Sequence, residues 1–256
     1  MNDLVTPEGW LQRSQSVEYI NAYRRLVEFT PINFKGVMTE VGCGPAGLLA
    51  RLFERSPNSL VIGTDISDEM LSNAQTVLAS RGIPSEIKQH PRELDLTVRR
   101  KVVLVKDNLV DSEMPSNISD YSFFIFPETG EGHPVSPLDT ELANRWIRAS
   151  GLNTPEMISI IISSLRAEYH LSRITKRKGV VIRTHYDISE GNFNDHDERK
   201  TKYESKYSGI FGRRMSRCFF TEDLGIWSDT VPAKAEAIYA EHIKKGYWTI
   251  VAKKTE

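Results

Sequence analysis

The chain has 256 residues, with 33 Lys and Arg against 34 Asp and Glu and a formal net charge of −1. This balance argues against a protein that binds nucleic acid through overall positive charge, and two cysteines exclude a disulfide framework and favour a reducing compartment. No apolar run approaches the roughly 20 residues of a membrane span, and the first residues lack a secretory pattern, so we expect a cytoplasmic globular protein.

Helical and strand patterns alternate along most of the chain. Apolar residues recur at helical spacing across residues 7–29, and Pro31 is expected to end this first helix. Short apolar runs then predict strands at residues 36–41, 60–65, 101–106, 121–126 and 179–185. Further helices are predicted at residues 45–55, 67–81 and 138–175, and Ser67 is the expected N-cap of the second. That helix is expected to bury Met70, Leu71, Ala74 and Leu78.

The C-terminal part of the chain predicts an insertion followed by two closing strands. Residues 187–217 are polar and irregular, which favours a lid-like insertion. Strands near residue 237 and at 247–252 are too close in sequence for a crossover helix, so they are expected to pair antiparallel. We therefore predict an α/β fold with a doubly wound, mostly parallel, seven-stranded sheet and an antiparallel C-terminal edge hairpin. Residues 1–256 would form a single domain, with residues 1–30 as a helical cap.

A glycine-rich turn is the first candidate binding feature. Gly42, Gly44 and Gly47 form a G-x-G-x-x-G pattern between a predicted strand and a predicted helix. Such a turn lets the backbone approach a ligand closely and offers the free N–H groups of a helix N-terminus. Asp65 ends the next strand, where an acidic residue accepts hydrogen bonds from ribose hydroxyls. The alternative is an ordinary strand–helix turn, with Asp65 only capping a helix.

Two further strand ends carry acidic residues that narrow the choice of ligand. Asp107, or its neighbour Asn108, ends the third predicted strand and would accept a hydrogen bond from an adenine amino group. Glu40 lies two residues before Gly42 at the end of the first strand. A carboxylate there repels a pyrophosphate but attracts an ammonium group, which favours S-adenosylmethionine over a dinucleotide.

Three segments resemble the class I S-adenosylmethionine-dependent methyltransferases. These segments are Thr39-Glu-Val-Gly-Cys-Gly-Pro-Ala-Gly-Leu, Thr64-Asp-Ile-Ser and Val105-Lys-Asp-Asn-Leu. The resemblance covers about residues 36–128 by motif, and Gly246-Tyr-Trp-Thr-Ile-Val-Ala-Lys resembles the last strand of that family. It implies a Rossmann-like fold, S-adenosylmethionine as cofactor and methyl transfer as the activity.

The resemblance also implies roles for individual residues around the cofactor. Residues 40–47, with Cys43 in a packing position, would surround the methionyl part, and Asp65 would bind the ribose. Ile66 and Met70 would flank the adenine ring. These motifs specify the fold and the cofactor far better than they specify the substrate.

The substrate side of the site is expected beyond the fourth and fifth predicted strands. Family members that methylate amide or adenine nitrogens carry Asn-Pro-Pro-Tyr after the fourth strand, whereas this chain has Phe-Pro-Glu-Thr from residue 126, which argues against such substrates. Glu128 would hold a substrate cation or accept a proton, and His133 lies in the same loop. His185 ends the fifth strand and would serve as a general base. For each residue, a purely structural role is the alternative.

Two other segments supply candidate substrate contacts. Arg213 and Arg214 in the predicted lid would bind a carboxylate or phosphate, and Tyr19 and Tyr23 on the first helix would close over the site. The alternatives are a solvated charged surface and an ordinary packed helix. His196 lies among acidic residues, but no second group with ligand spacing supports a metal site, so we expect no metal.

We interpret the chain as a methyltransferase that acts on a small-molecule amine, hydroxyl or acidic carbon by in-line methyl transfer. One alternative is an RNA or protein methyltransferase, for which a basic surface and a steep salt dependence would be diagnostic. Another is a non-catalytic module that binds the cofactor, and a nicotinamide oxidoreductase is disfavoured by Glu40. The sequence leaves the acceptor atom, the use of a general base and the oligomeric state open.

Overall fold

The computed structural model describes residues 7–125, 170–186, 234–238 and 247–253. Its first residues form two helices rather than the single helix predicted for residues 7–29, namely α1 (Pro7–Ser14) and α2 (Val17–Leu26). The break occurs at Ser16, whose extended backbone (φ −66°, ψ 153°) cannot continue a helix. The Ser16 hydroxyl accepts a hydrogen bond from the backbone N–H of Tyr19, so the residue caps α2 instead.

The remaining elements follow the alternation expected from the sequence. The other two complete helices of the described residues are α3 (Gly47–Arg55) and α4 (Asp68–Ser80). The strands are β1 (Val37–Val41), β2 (Leu60–Asp65), β3 (Ser85–Lys88), β4 (Lys101–Lys106), β5 (Ser119–Ile125), β6 (Thr175–Tyr186), β7 (Lys234–Ile238) and β8 (Tyr247–Lys253). Residues 170–174 are helical, and the rest of the predicted helix 138–175 lies outside the described residues.

The eight strands within the described ranges form one sheet in the order β3-β4-β2-β1-β5-β6-β8-β7. The pairings from β3 to β6 are all parallel, so the carboxyl ends of six strands share one edge. The chain winds from β1 towards β3 on one side and through β5 towards β6 on the other. The strand order therefore reverses between β1 and β5, which is where open α/β sheets bind their ligands.

The predicted number of seven strands was wrong, because β3 was not expected. Its four residues, Ser85–Lys88, are mostly polar and only half-buried, and the strand pairs on one side with β4. A short, polar edge strand has no apolar alternation to reveal it in the sequence. At the other end of the sheet, β8 lies antiparallel to both β6 and β7.

Helices and strands pack through two apolar clusters, one on each face of the sheet. On one face, Met38 and Phe123 pack with the buried leucines of α3 and α4 and with α2. On the other face, Val37, Val41 and Ile62 pack with the helical residues Leu171 and Ile174. Successive residues of β1 alternate between these clusters, so Glu40 lies on the face covered by α3.

No helix within the described ranges is long and apolar enough to cross a bilayer. Residues 187–217, the predicted lid-like insertion, lie outside the described residues, as do residues 1–6 of the predicted cap.

Candidate active site at the carboxyl edge of the sheet

The turn after β1 has a backbone conformation that glycine adopts readily, and two of its glycines do not pack against a described residue. Gly42 and Gly44 have φ values of 65° and 48°, in the left-handed region that other residues rarely adopt. A Cβ atom added at either position would meet no atom of the described residues within 4 Å, so both glycines face space that this part of the chain leaves open. Ala46 is also left-handed (φ 60°, ψ 25°), and it precedes α3 without a side-chain capping bond. The turn therefore presents backbone and a positive helix end to an open space.

Gly47 serves a different purpose from the other two glycines. A Cβ atom there would lie 2.5 Å from Cε2 of Tyr23, so the tyrosine ring occupies the place of a side chain. Arg51 stacks over the same ring, with 5.7 Å from its guanidinium carbon to the ring centroid, and donates a hydrogen bond of 2.8 Å to the Gly47 carbonyl. Helix α2 is thereby packed directly against the glycine turn.

Glu40 places a fully buried carboxylate beneath this turn. The side chain is 3% exposed, and its Oε2 atom makes no hydrogen bond with any described residue. Burial raises the pKa of Glu40 well above its usual range, the backbone N–H of Leu49 in the first turn of α3 opposes this rise, and Asp65 adds to it. A buried carboxylate oxygen without a partner is costly unless a cationic ligand reaches it.

Asp65 lies at the end of β2 and holds the glycine turn in place. Its Oδ2 atom accepts a hydrogen bond of 3.0 Å from the Gly44 N–H, and its Oδ1 atom accepts one of 3.0 Å from the Ser67 N–H. Burial raises the pKa of Asp65, and the N–H groups of Ser67, Gly44 and Ile66 lower it. The expected ribose-binding residue thus also connects the ends of β1 and β2.

Asp107 and Asn108 follow β4 at the same edge, and they differ in how their oxygens are used. The Asp107 N–H donates to the Asp65 carbonyl at 3.0 Å, which joins the two strand ends. Oδ1 of Asp107 accepts from the Glu113 N–H at 3.1 Å, whereas Oδ2 is buried and has no hydrogen-bond partner among the described residues. The side-chain oxygen of Asn108 accepts from the Val110 N–H at 3.1 Å. Burial raises the pKa of Asp107 above its usual value.

Three other residues that the resemblance implies around the cofactor, Ile66, Met70 and Cys43, lie within the described residues. Ile66 is 58% exposed immediately after β2, and Met70 is buried in the first turn of α4. Cys43 is a buried free thiol, and its backbone N–H donates to the Thr64 carbonyl at 2.8 Å. Burial raises the pKa of the Cys43 thiol, with further rises from Asp65 and Glu40, so the group stays protonated as a packing residue.

The two tyrosines predicted to close over the site are core residues. Tyr19 and Tyr23 are 3% and 6% exposed, and their rings meet edge to face with centroids 5.8 Å apart. The Tyr23 ring lies against Gly47, and Tyr19 packs on Tyr23, so both rings are part of the packing behind the turn. The sequence pattern shows that a helical residue faces inward or outward, but it does not show which element packs over that face.

His185 lies in the last part of β6, opposite Trp248 of β8, and therefore at the carboxyl edge of the sheet. The remaining predicted substrate and catalytic residues, Glu128, His133, Arg213 and Arg214, lie outside the described residues. Their roles stay predictions.

Sequence reasoning missed Gly63, a glycine in the middle of β2. A Cβ atom there would lie 2.3 Å from Leu49 Cδ1 and 3.0 Å from Cys43 Sγ, so the missing side chain lets α3 and the glycine turn lie close to the sheet. An isolated glycine inside an apolar strand was the available signal. Within the described ranges, no group of three His, Cys, Asp or Glu side chains could hold a metal ion.

Comparison with known proteins finds methyltransferases that are similar in a short segment of sequence or in overall fold. No family model matches the chain. Trans-aconitate 2-methyltransferase of Azoarcus sp. (strain BH72) is 38% identical over 61 residues, which is 24% of this chain and 24% of that protein. The aligned segment thus spans about a quarter of either protein.

Solved structures resemble the chain over almost its whole length. A SAM-dependent methyltransferase from Aquifex aeolicus has 12% identity and a TM-score of 0.52, covering 97% of this chain and 98% of that one. Phosphoethanolamine N-methyltransferase 2 of Haemonchus contortus, in complex with S-adenosyl-L-methionine, has 14% identity and a TM-score of 0.54. This second match covers 100% of this chain and 59% of that one. The chain therefore has the Rossmann-like fold of the S-adenosylmethionine-dependent methyltransferases.

Proposed function

We propose that this chain is an S-adenosylmethionine-dependent methyltransferase that acts on a small molecule. The observation that carries the proposal is the buried Glu40 carboxylate, whose Oε2 atom has no partner among the described residues. It lies beneath a turn in which Gly42 and Gly44 face space that no described residue fills, at the point where the strand order reverses. A pyrophosphate would be repelled there, whereas an ammonium group would supply the missing counter-charge.

The residues present fit the cofactor group by group. Glu40 and the turn from Gly42 to Gly47 would hold the methionyl ammonium and carboxylate, and Asp65 would accept hydrogen bonds from the ribose. Asp107 is a better acceptor for the adenine amino group than Asn108, because one Asp107 oxygen has no partner among the described residues. Ile66 and Met70 would pack on the adenine ring.

Methyl transfer demands little proton chemistry from the protein. When bound, S-adenosylmethionine supplies an electrophilic methyl group on a sulfonium sulfur, open to in-line attack by an acceptor atom. The chain must align that acceptor and exclude water, and alignment alone lowers a barrier by about 7–11 kcal/mol. Glu128 and His185 are the proposed groups for holding the acceptor or taking its proton.

The small-molecule substrate is supported by the relatives rather than by a described side chain. One relative is named for trans-aconitate and one structural neighbour for phosphoethanolamine, which are both small metabolites. The near-neutral net charge agrees with this proposal, because a polyanionic substrate favours a basic protein. The acceptor proposed is an amine, hydroxyl or acidic carbon.

Calorimetry tests the cofactor assignment directly. We expect S-adenosylhomocysteine to bind with micromolar affinity and NAD to give no heat, and an inverse result would contradict the proposal. A radiolabelled methyl-transfer assay would then screen small acids and amines, including trans-aconitate and phosphoethanolamine, against RNA and protein acceptors. Transfer only to RNA, with a steep loss of activity on adding salt, would favour the first alternative. Tight cofactor binding with no acceptor in any class would favour a non-catalytic binding module.

A further inference from the structure

Arg173 braces the loop that follows β4. It belongs to the helical residues 170–174 just before β6. Its guanidinium donates to the backbone carbonyls of Ser112 (2.8 Å) and Met114 and to the hydroxyl of Ser116 (3.2 Å). The backbone N–H of Asn117 donates to the Arg173 carbonyl at 2.8 Å. The backbone and the side chain of Arg173 thus both bind the same loop.

The braced loop in turn holds the carboxylate of Asp107. The N–H of Glu113, which lies between the two carbonyls that Arg173 binds, donates to Asp107 Oδ1 at 3.1 Å. A hydrogen bond from the Ser112 side chain and the positive charge of Arg173 both favour the ionised form of Asp107 against the effect of burial. Arg173 therefore affects Asp107 in two ways. It holds the loop from which Glu113 donates to Asp107, and its positive charge favours the ionised carboxylate.

The other Asp107 oxygen is the one that lacks a partner. Oδ2 is buried without a hydrogen bond to any described residue, at the strand end adjoining Asp65. A buried carboxylate oxygen of this kind demands a donor, and fixing Oδ1 decides where Oδ2 points.

We infer that Arg173 is a positioning residue that sets the preference of the site for a purine carrying a 6-amino group, by orienting Asp107. This inference rests on the proposed function, because it presumes an adenosyl ligand at the carboxyl edge. The planar guanidinium group, with five N–H donors in fixed directions, suits this positioning role, because it binds three acceptors on one loop at the same time.

The test compares two ligands that differ in one group. Calorimetry would measure binding of S-adenosylhomocysteine and of its analogue that carries hydrogen in place of the 6-amino group. In the wild-type protein we expect the analogue to bind at least about tenfold more weakly, as the loss of a hydrogen bond to a charged acceptor implies. In Arg173→Met this ratio should fall to near one, mainly because S-adenosylhomocysteine binds less tightly.

Two further variants separate positioning from general damage. Arg99→Met is the matched control, because Arg99 also donates to backbone carbonyls, those of Leu96, Val98 and Lys35, but at the opposite end of β4. It should leave the ligand ratio unchanged. Arg173→Lys keeps the charge without the planar guanidinium group and should also lower the ratio, and it carries the test if Arg173→Met does not fold.

The outcomes are distinguishable from failure of the proposed function. Equal weakening of both ligands in Arg173→Met and Arg173→Lys, with an unchanged ratio, would show a merely structural role and overturn the inference. A wild-type protein that binds S-adenosylhomocysteine and its analogue equally would also overturn it. A wild-type protein that binds neither ligand would overturn the proposed function together with the inference.

Discussion

The ends of β1 and β2 carry carboxylates at neighbouring positions, but the two regions satisfy them differently. After β2, both oxygens of Asp65 accept backbone N–H groups, and Ser67 caps α4. After β1, Glu40 keeps one oxygen without a partner among the described residues, and α3 begins without a side-chain cap. The hydrogen bonds of the β2 region are thus complete within the described residues, whereas the unpartnered oxygen at the β1 end supports the proposal that a ligand completes that region.

The largest effect is expected for a substitution of Glu40, which should weaken ligand binding without destabilising the fold. Glu40→Gln keeps the shape of the side chain and removes its charge, so affinity for S-adenosylhomocysteine should fall by about 100-fold or more, since a broken buried ion pair costs about 3–5 kcal/mol. The free energy of unfolding without ligand should stay equal or rise, because an unpaired buried carboxylate has been removed. Calorimetry and urea unfolding measure the two quantities.

The control for Glu40 is Glu86→Gln, a carboxylate that pairs with Lys101 on the surface of β3. This control should change neither binding nor unfolding appreciably. Wild-type affinity in Glu40→Gln would contradict the assignment of the β1 end as the part completed by a ligand.

The next effect concerns the contact between α2 and the glycine turn. Gly47→Ala places a methyl group 2.5 Å from the Tyr23 ring, and we expect it to lower the free energy of unfolding by about 1–3 kcal/mol. Tyr23→Leu should relieve part of this clash, so the double variant should be more stable than the sum of the single changes predicts.

Gly44→Ala is the comparison for this cycle. Its methyl group would meet no described atom within 4 Å, so we expect its cost to come from the left-handed backbone. That cost should add simply to the cost of Tyr23→Leu. Simple additivity for Gly47→Ala as well would contradict the proposed role of the Tyr23 ring.

The free energy of unfolding should decrease as pH rises through the window in which Glu40 titrates. Burial raises the pKa of Glu40 in the folded protein, so between the unfolded and folded pKa values the unfolded state has lost a proton that the folded state keeps. Unfolding therefore becomes easier as pH rises through this window, with a slope of at most about 1.4 kcal/mol per pH unit for one group. Burial also raises the pKa of Asp65, so Asp65 contributes to the same loss of stability, beginning at a lower pH because an aspartate has a lower pKa when unfolded.

Urea unfolding of the ligand-free protein across mildly acidic to neutral pH measures this slope. Glu40→Gln should flatten it, and affinity for S-adenosylhomocysteine should rise with pH over the same window, because the ammonium group needs the ionised carboxylate. A wild-type slope that Glu40→Gln leaves unchanged would assign the effect to other groups.

The smallest effect is expected at the β2 end. Ser67→Ala removes the hydroxyl that accepts the Met70 N–H at 3.2 Å, and it should lower the free energy of unfolding by about 1 kcal/mol. Ser72→Ala, an exposed position within the same helix, is the control and should be neutral or slightly stabilising. Equal effects from both serines would show that Ser67 does not act as a cap.

Local patterns in the sequence predicted the elements that position the site. The spacing of Met70, Leu71, Ala74 and Leu78 predicted the buried face of α4, and all four side chains are buried. The capping role of Ser67 was likewise confirmed. These features depend on residues within one or two turns of each other, so the sequence pattern contains them fully.

Contacts between distant segments escaped prediction. Tyr19 and Tyr23 are buried in the cluster that α2 shares with α3, and β3 pairs along the edge of β4. Helical spacing left two interpretations open, an aromatic cap over the site and an ordinary packed helix. The burial of both tyrosines in one cluster with α3 favours the packed helix.

The sequence by itself therefore determined the order of the strands and helices and the presence of a glycine turn. It also determined that the acidic residues at the strand ends lie together, because the carboxyl ends of parallel strands meet at one edge of the sheet. Only the tertiary structure decided which acidic oxygens keep no partner. Among the described residues, Glu40 and Asp107 each keep one oxygen that no donor reaches, whereas Asp65 receives a backbone N–H on each of its two oxygens. Hydrogen bonds between distant segments depend on packing distances that no local pattern contains.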